Sequence, residues 1–334
     1  MLYTRVIYEA LRTPWALMPE MLAVVADVLR FRAMGGRLTA DEIRARIGSD
    51  ESRPRPEART LRADRGRKGG AIGIVPVYGV IAHRTFEASS GMSSAEMIGA
   101  RLQQFVDDPD IGTIVLDVSS PGGSVAGVPE LADRIYQARK AKRIVGIANA
   151  LAASAGYWLL SQADEVVVTP SGSVGSIGVY ALHEDWSAWL EKEGVRITAI
   201  QAGNRKLEGA PWQPLNEEAK AHFQASVDEA YQKFTQAVAR GRGVPVAEVR
   251  GERFGEGRVF SAKDALERGM VDRLESFDVL IDRLLQESAG AIGRVGSRAE
   301  ADPIEPRADV EVSIEDLEAQ VQYMEMVVAA GGQP

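Results

Sequence analysis

Two nearly unbroken apolar runs constrain this chain most: "GTIVLDVSS" at 112–120 and "RIVGIANA" at 143–150. Runs of this length without polar alternation fit strands covered on both faces, as in the middle of a parallel sheet. Further strand signals stand at 71–82, 165–170, 174–182, 195–203 and 270–274. Amphipathic stretches lie between and beyond them, at about 94–107, 125–141, 154–162, 184–193, 216–241, 261–268 and 276–287. Alternation of this kind predicts an α/β fold, a parallel-rich sheet with packed helices.

Charge divides the chain into three parts. Residues 1–68 carry 14 Lys/Arg against 9 Asp/Glu. They open with helix-like spacing of Leu17, Met21, Val24, Val25 and Val28, followed by a second short helix at "TADEIRARIG", where Thr39 is a cap and Glu42 sits three residues on. "SDESRPRPEARTLRADRGRKGG" then reads as an exposed basic linker. Residues 69–288 hold the α/β pattern. Residues 289–334 carry 3 Lys/Arg against 9 Asp/Glu and read as a disordered acidic tail with one amphipathic helix, "SIEDLEAQVQYMEMVVAA".

Composition excludes several chemistries. There is no cysteine, hence no disulfide, thiolate metal site or cysteine nucleophile. Three histidines, His83, His183 and His222, argue against a multi-histidine metal centre. A net charge of −8 argues against a general nucleic-acid binder. "MLAVVADVLRF" contains Asp27 and is shorter than the roughly 20 apolar residues a membrane span needs, so no span and a cytoplasmic protein are expected.

Four motifs could carry chemistry. In "DVSSPGGSVAG" a buried strand ends in Pro121, Gly122 and Gly123 and feeds a helix; it is either a plain turn or a set of bare amides aimed at negative charge. In "NALAASAGYWLL" Ser154 stands among Ala152, Ala153, Ala155 and Gly156. Such neighbours suit a helix contact, and they also suit a nucleophile approached closely by a substrate backbone, with the Ala155 amide beside it as half of an oxyanion site. "GSVGSIGV" presents Ser173 and Ser176, and "QAGNRKLEGAPWQPL" presents Lys206 in a loop. A serine nucleophile needs a base. His183, just beyond a strand, is one candidate, and Lys206 is the other. An unperturbed lysine titrates near ~10.4, so it serves near neutral pH only if an apolar pocket disfavours its charge. A hydroxyl such as Ser176 could orient the amine.

Taken in order, "SSPGGSVAG", "AASAGYWLLSQADEVVVTPSGSVGSIGV" and "QAGNRKLEGAPWQPL" resemble the S49 peptidases. These are signal-peptide-peptidase-A-like serine proteases of the ClpP/crotonase fold, built of repeated ββα units. The likeness covers roughly residues 70–285. "SGMSSAEMIGARLQQFVDDPDIGTIVLDVSSPGG" and "GSIGVYALHEDWSAWLEKEGVRITAIQAGNRKLEGAPW" are most similar to its phage capsid assembly (head maturation) subgroup, the protein C type. The resemblance implies Ser154 as nucleophile, Lys206 as general base, Ser176 as the serine orienting the lysine, and an oxyanion hole from Gly122, Gly123 and Ala155. It implies no cofactor and no metal. Substrates would be capsid scaffold, portal and coat proteins, cut by a homo-oligomer within the procapsid in the host bacterial cytoplasm. A small-residue lining would prefer small P1 side chains. Three other readings stay open: a soluble bacterial signal-peptide-peptidase-like protease, a crotonase-type acyl-CoA enzyme, and an inactive scaffold protein of the same fold. His183 remains the runner-up base.

Overall fold

In the computed structural model of the chain, residues 14–21, 58–62, 70–84 and 92–290 are described. Their strands are β1 Trp15–Leu17, β2 Arg59–Arg62, β3 Ala71–Tyr78, β4 Val80–Ala82, β5 Met92–Ser94, β6 Ile111–Ser120, β7 Gly122–Ser124, β8 Arg143–Ala153, β9 Glu165–Val168, β10 Ser173–Gly175, β11 Val259–Ser261 and β12 Arg273–Leu274. The helices are α1 Ala95–Asp107, α2 Val128–Ala138, α3 Ala155–Leu160, α4 Ser187–Lys192, α5 Glu217–Arg242, α6 Val246–Arg250, α7 Ala262–Glu267 and α8 Phe277–Gly290.

β3, β6 and β8 run parallel at the centre of an eight-stranded sheet, ordered β11-β10-β8-β6-β3-β2, with β9 on β8 and β12 on β9. The apolar run of β6 is buried on both faces. Ile114, Leu116 and Val118 join one core with residues of α1, α2, α3 and α5, while Val115 joins Ile72, Ile74, Val145 and Ile147 under Leu280, Ile281 and Leu284 of α8. A one-residue slip would exchange the two faces of β6, so its register is tightly specified. On the first face Trp158 of α3 stacks on Phe234 of α5, with centroids 4.4 Å apart. A smaller sheet of order β1-β7-β4-β5 sits at the ends of these central strands.

Several sequence expectations need correction. The 71–82 run breaks at Gly79, whose φ of 69° turns the chain from β3 into β4 and so from one sheet to the other. Leu17 belongs to a strand, because it pairs with Gly122 far along the chain and not with helical neighbours. Part of the expected linker, Arg59–Arg62, pairs antiparallel with β3 as an edge strand. The alternating run 195–203 is exposed and unpaired among the described residues: it has a strand's pattern but no partner. The 174–182 signal shortens to β10, which also pairs antiparallel with β11. The Thr39 cap, the second N-terminal helix and the acidic tail lie outside the described residues. Among those described, no helix is long and apolar enough to cross a membrane.

One ion pair anchors the far end of this frame. Asp272 accepts from both terminal nitrogens of Arg242 at 3.0 and 2.5 Å and from the Val166 N–H at 2.7 Å. Burial alone would raise its pKa, but these donors outweigh burial and hold the carboxyl below its ordinary value. A depressed folded pKa gives stability that is present above the unfolded pKa and lost as pH falls through the folded one. Asp272→Asn should therefore cost about 1–2 kcal/mol near neutral pH, a figure reduced for its partial exposure. The gap to wild type should close on acidification, as read from urea melts across pH.

Candidate active site

The site is assembled by three strand ends. β6 ends at Ser120, whose hydroxyl donates to the Gly79 carbonyl at 2.6 Å and accepts from the Gly122 N–H at 3.1 Å. This hydroxyl fixes the bend at Pro121, and the sequence had offered it only as part of the motif. Gly122 has φ 106°, and a Cβ there would collide with the Ala16 carbonyl oxygen and stand 2.9 Å from Ser154 Cβ. A Cβ on Gly123 would strike the Ile81 carbonyl. Both glycines are thus required by close backbone approach.

β8 pairs with β6 as far as Ser120 with Ala152, which brings Ser154 beside the glycine turn. Ser154 has φ 55° and ψ −120°, a conformation that L residues rarely adopt. It bends the chain from β8 directly into α3, a strand-to-helix elbow of the kind that presents a nucleophile in α/β-hydrolases. Its N–H donates to the Gly175 carbonyl at 2.8 Å and its carbonyl accepts from the Trp158 N–H at 2.9 Å, which hold the bend. Ala155 opens α3, so its N–H has no acceptor four residues back.

β10 pairs with β8 through Gly175 and Ala153, so Ser176 follows immediately beside Ser154. Ser176 too has φ 55°, and its N–H donates to the Arg258 carbonyl at 2.7 Å. Ser154, Ser176, Gly122, Gly123 and Ala155 are therefore neighbours. Neither candidate base is brought to the nucleophile within one chain. Ser154 Oγ is buried with no hydrogen-bond partner. Lys206 is exposed in a loop, where its N–H closes a turn onto the Gly203 carbonyl. His183 Nε2 is buried, also without a partner.

β1 lies against the same turn. It pairs antiparallel with β7, Leu17 with Gly122 and Ala16 with Gly123, and on its other edge Trp15 exchanges backbone hydrogen bonds with Tyr180 at 2.8 and 3.1 Å. Tyr180 OH is buried and unpartnered, and burial pushes its pKa up to about 12.

A polar clamp crosses the central strands just before they reach the site. Tyr78 OH on β3 donates to Asp117 on β6, and Asn149 Nδ2 on β8 donates to Asp117 at 3.2 Å. Burial raises the Asp117 pKa despite these donors. The signal was a lone carboxylate inside an otherwise apolar strand.

Residues 136–290 match the family model described as peptidase family S49. The chain is 36% identical over 244 residues to "Capsid assembly protease C" of Escherichia phage lambda, covering 72% of this chain and 54% of that protein. It is 33% identical over 274 residues to "Head-tail preconnector protein GP5" of Enterobacteria phage P21, covering 81% and 51%. "Protease 4" of Haemophilus influenzae is 26% identical over 216 residues, 64% of this chain and 34% of that one. The chain thus spans about half the length of the two phage relatives.

Glycine should relieve the strain of the elbow at Ser154, φ 55°, where alanine cannot. Ser154→Gly should be more stable than Ser154→Ala by about 1 kcal/mol, the gain in strain exceeding glycine's entropy. Chemical denaturation of the two variants measures this difference.

Proposed function

Because the chain carries a peptidase family S49 domain, we propose that it is a serine endopeptidase with Ser154 as nucleophile, acting on phage head proteins. The observation that carries this reading is the strained serine elbow lying beside a glycine turn at the start of α3; the amides of Gly123 and Ala155 are the oxyanion donors we assign. In this mechanism the Ser154 hydroxyl attacks a substrate carbonyl and passes its proton to a base. The amides hold the developing oxyanion, each such donor being worth roughly 3–4 kcal/mol. The base then protonates the leaving amine, and water hydrolyses the acyl-enzyme. Ser176, next to Ser154, is suited to orienting the base.

Lys206 is the base we assign, and a second copy of the chain is its route to Ser154. The segment leading to Lys206 carries apolar side chains in solvent, among them Trp189, 58% exposed, and Ile200, 98% exposed, with Val195 and Ile197 between them. Apolar surface of this extent favours an interface. Covering it with a second copy would make the protein a homo-oligomer and move Lys206 from one copy toward Ser154 of another. His183, whose Nε2 is buried and unpartnered, is the alternative base.

The name of the lambda relative, a capsid assembly protease, supports capsid proteins as the substrate class; we infer scaffold, portal and coat proteins, cut in a procapsid in the bacterial host cytoplasm.

Ser154→Ala and Lys206→Ala should each abolish cleavage of co-expressed head proteins, while His183→Ala should retain it. Mixing the two inactive variants should restore activity at about a quarter of sites if serine and lysine come from different copies. Recovery of none would put both groups in one chain, and full activity of Lys206→Ala would leave His183 as the base.

A further inference from the structure

The buried nucleophile is covered by the chain itself. β1 is Trp15–Leu17, and Ala16 is fully buried. The Val125 N–H donates to the Pro14 carbonyl at 3.1 Å, and the Met18 N–H donates to the Pro121 carbonyl at 2.9 Å. In an antiparallel ladder these flanking bonds make Ala16 and Gly123 the pair that exchanges both hydrogen bonds. The Gly123 N–H, one of the two amides assigned to the oxyanion, thus points at the Ala16 carbonyl oxygen. The missing side chain of Gly122 leaves one point of space that Ser154 Cβ approaches to 2.9 Å and the Ala16 carbonyl carbon to 3.0 Å.

The opposite edge of β1 is held by Tyr180, so the segment lies as an extended strand between two walls of the site. Main-chain bonds on both edges are how a sheet edge receives a peptide irrespective of its sequence. The side chains add selection. Ala16 packs into the main core beside the elbow, whereas Trp15 and Leu17 point the other way, toward Val80, Met21 and Tyr180. The position next to the nucleophile has room for a small side chain, and the positions on either side of it take large apolar ones.

We propose that Trp15–Leu17 is the protease's own first substrate, held in the peptide slot and cut between Ala16 and Leu17. This rests on Ser154 being the nucleophile. Ser154 Oγ bonds to the Ala16 carbonyl carbon as its proton passes to the base. The bond from that carbon to the Leu17 nitrogen breaks, and the base returns the proton to the leaving amine. Water then adds to the Ala16 ester, giving a free Ala16 carboxylate and regenerating the serine hydroxyl. Departure of the cut strand opens the slot to other proteins. The same geometry names the preferred foreign substrate: an extended segment with a small residue at the cut and bulky apolar residues flanking it.

The test incubates the full chain at several concentrations and follows its intact mass and N-terminal sequence, with fluorescein-labelled casein as a foreign substrate. The expected result is a new terminus at Leu17 that forms at a rate independent of protein concentration once the oligomer is fully assembled, and is absent from Ser154→Ala. Casein cleavage should show a lag matching its appearance. Ala16→Arg should slow the self-cut at least about tenfold, since the slot beside Ser154 has no space for that side chain; the wild-type comparison stands even if this variant misfolds. A wild-type chain that cleaves casein through Ser154 without a lag, its Ala16–Leu17 bond intact, would overturn the inference and leave the protease reading standing. A chain that cleaves neither itself nor casein would sink both.

Discussion

The parallel register of Ile111–Ser120 with Arg143–Ala153 decides where the candidate site lies in this protein. Each strand ends in a sharp change of direction, one at a glycine turn and one at a serine elbow. Because both strands are buried on both faces, their register cannot drift, and the two bends stay side by side. A third parallel strand, Ala71–Tyr78, ends at Gly79 in the same row, and Ser120 ties that bend to its own. The candidate site is thus an outcome of sheet packing, with main-chain groups as its principal lining.

Those main-chain groups impose the composition. Gly122 and Gly123 admit no side chain because carbonyls of Ala16 and Ile81 press on them. Gly156 packs its Cα against Ser120, where a Cβ would sit 3.1 Å from the carbonyl oxygen. The Tyr78–Asp117–Asn149 clamp spans the same three strands one step earlier, and its buried carboxylate is satisfied from both sides. Strain at Ser154 and Ser176 persists because hydrogen bonds to Gly175 and Arg258 hold both residues from outside.

Much of this was legible beforehand, and the reasons differ by element. Strands at 112–120 and 143–150 announced themselves because burial on both faces removes polar residues. The small residues around Ser154 and the Ser-Pro-Gly-Gly turn were legible because close approach of main-chain groups excludes side chains there. β1 was not legible, since three residues show no period and Leu17 and Met21 mimic a helix, while the real partner lies about a hundred residues away. Arg59–Arg62 hid as an exposed, charged edge strand. The run at 195–203 misled in the other direction, because alternation records a capacity to pair and does not supply a partner. Lys206 was legible as a residue type, but a residue type does not place a side chain, and the structure leaves it exposed in a loop with no hydrogen bond to Ser154 Oγ.

The most direct measurement of the central claim is the site of a covalent trap. The protein is treated with a small fluorophosphonate, quenched in acid, digested and mapped by tandem mass spectrometry. The account predicts one adduct, on Ser154, which disappears in Lys206→Ala. An adduct on Ser120 or Ser176 instead, or none in a preparation that cleaves protein substrates, would contradict it.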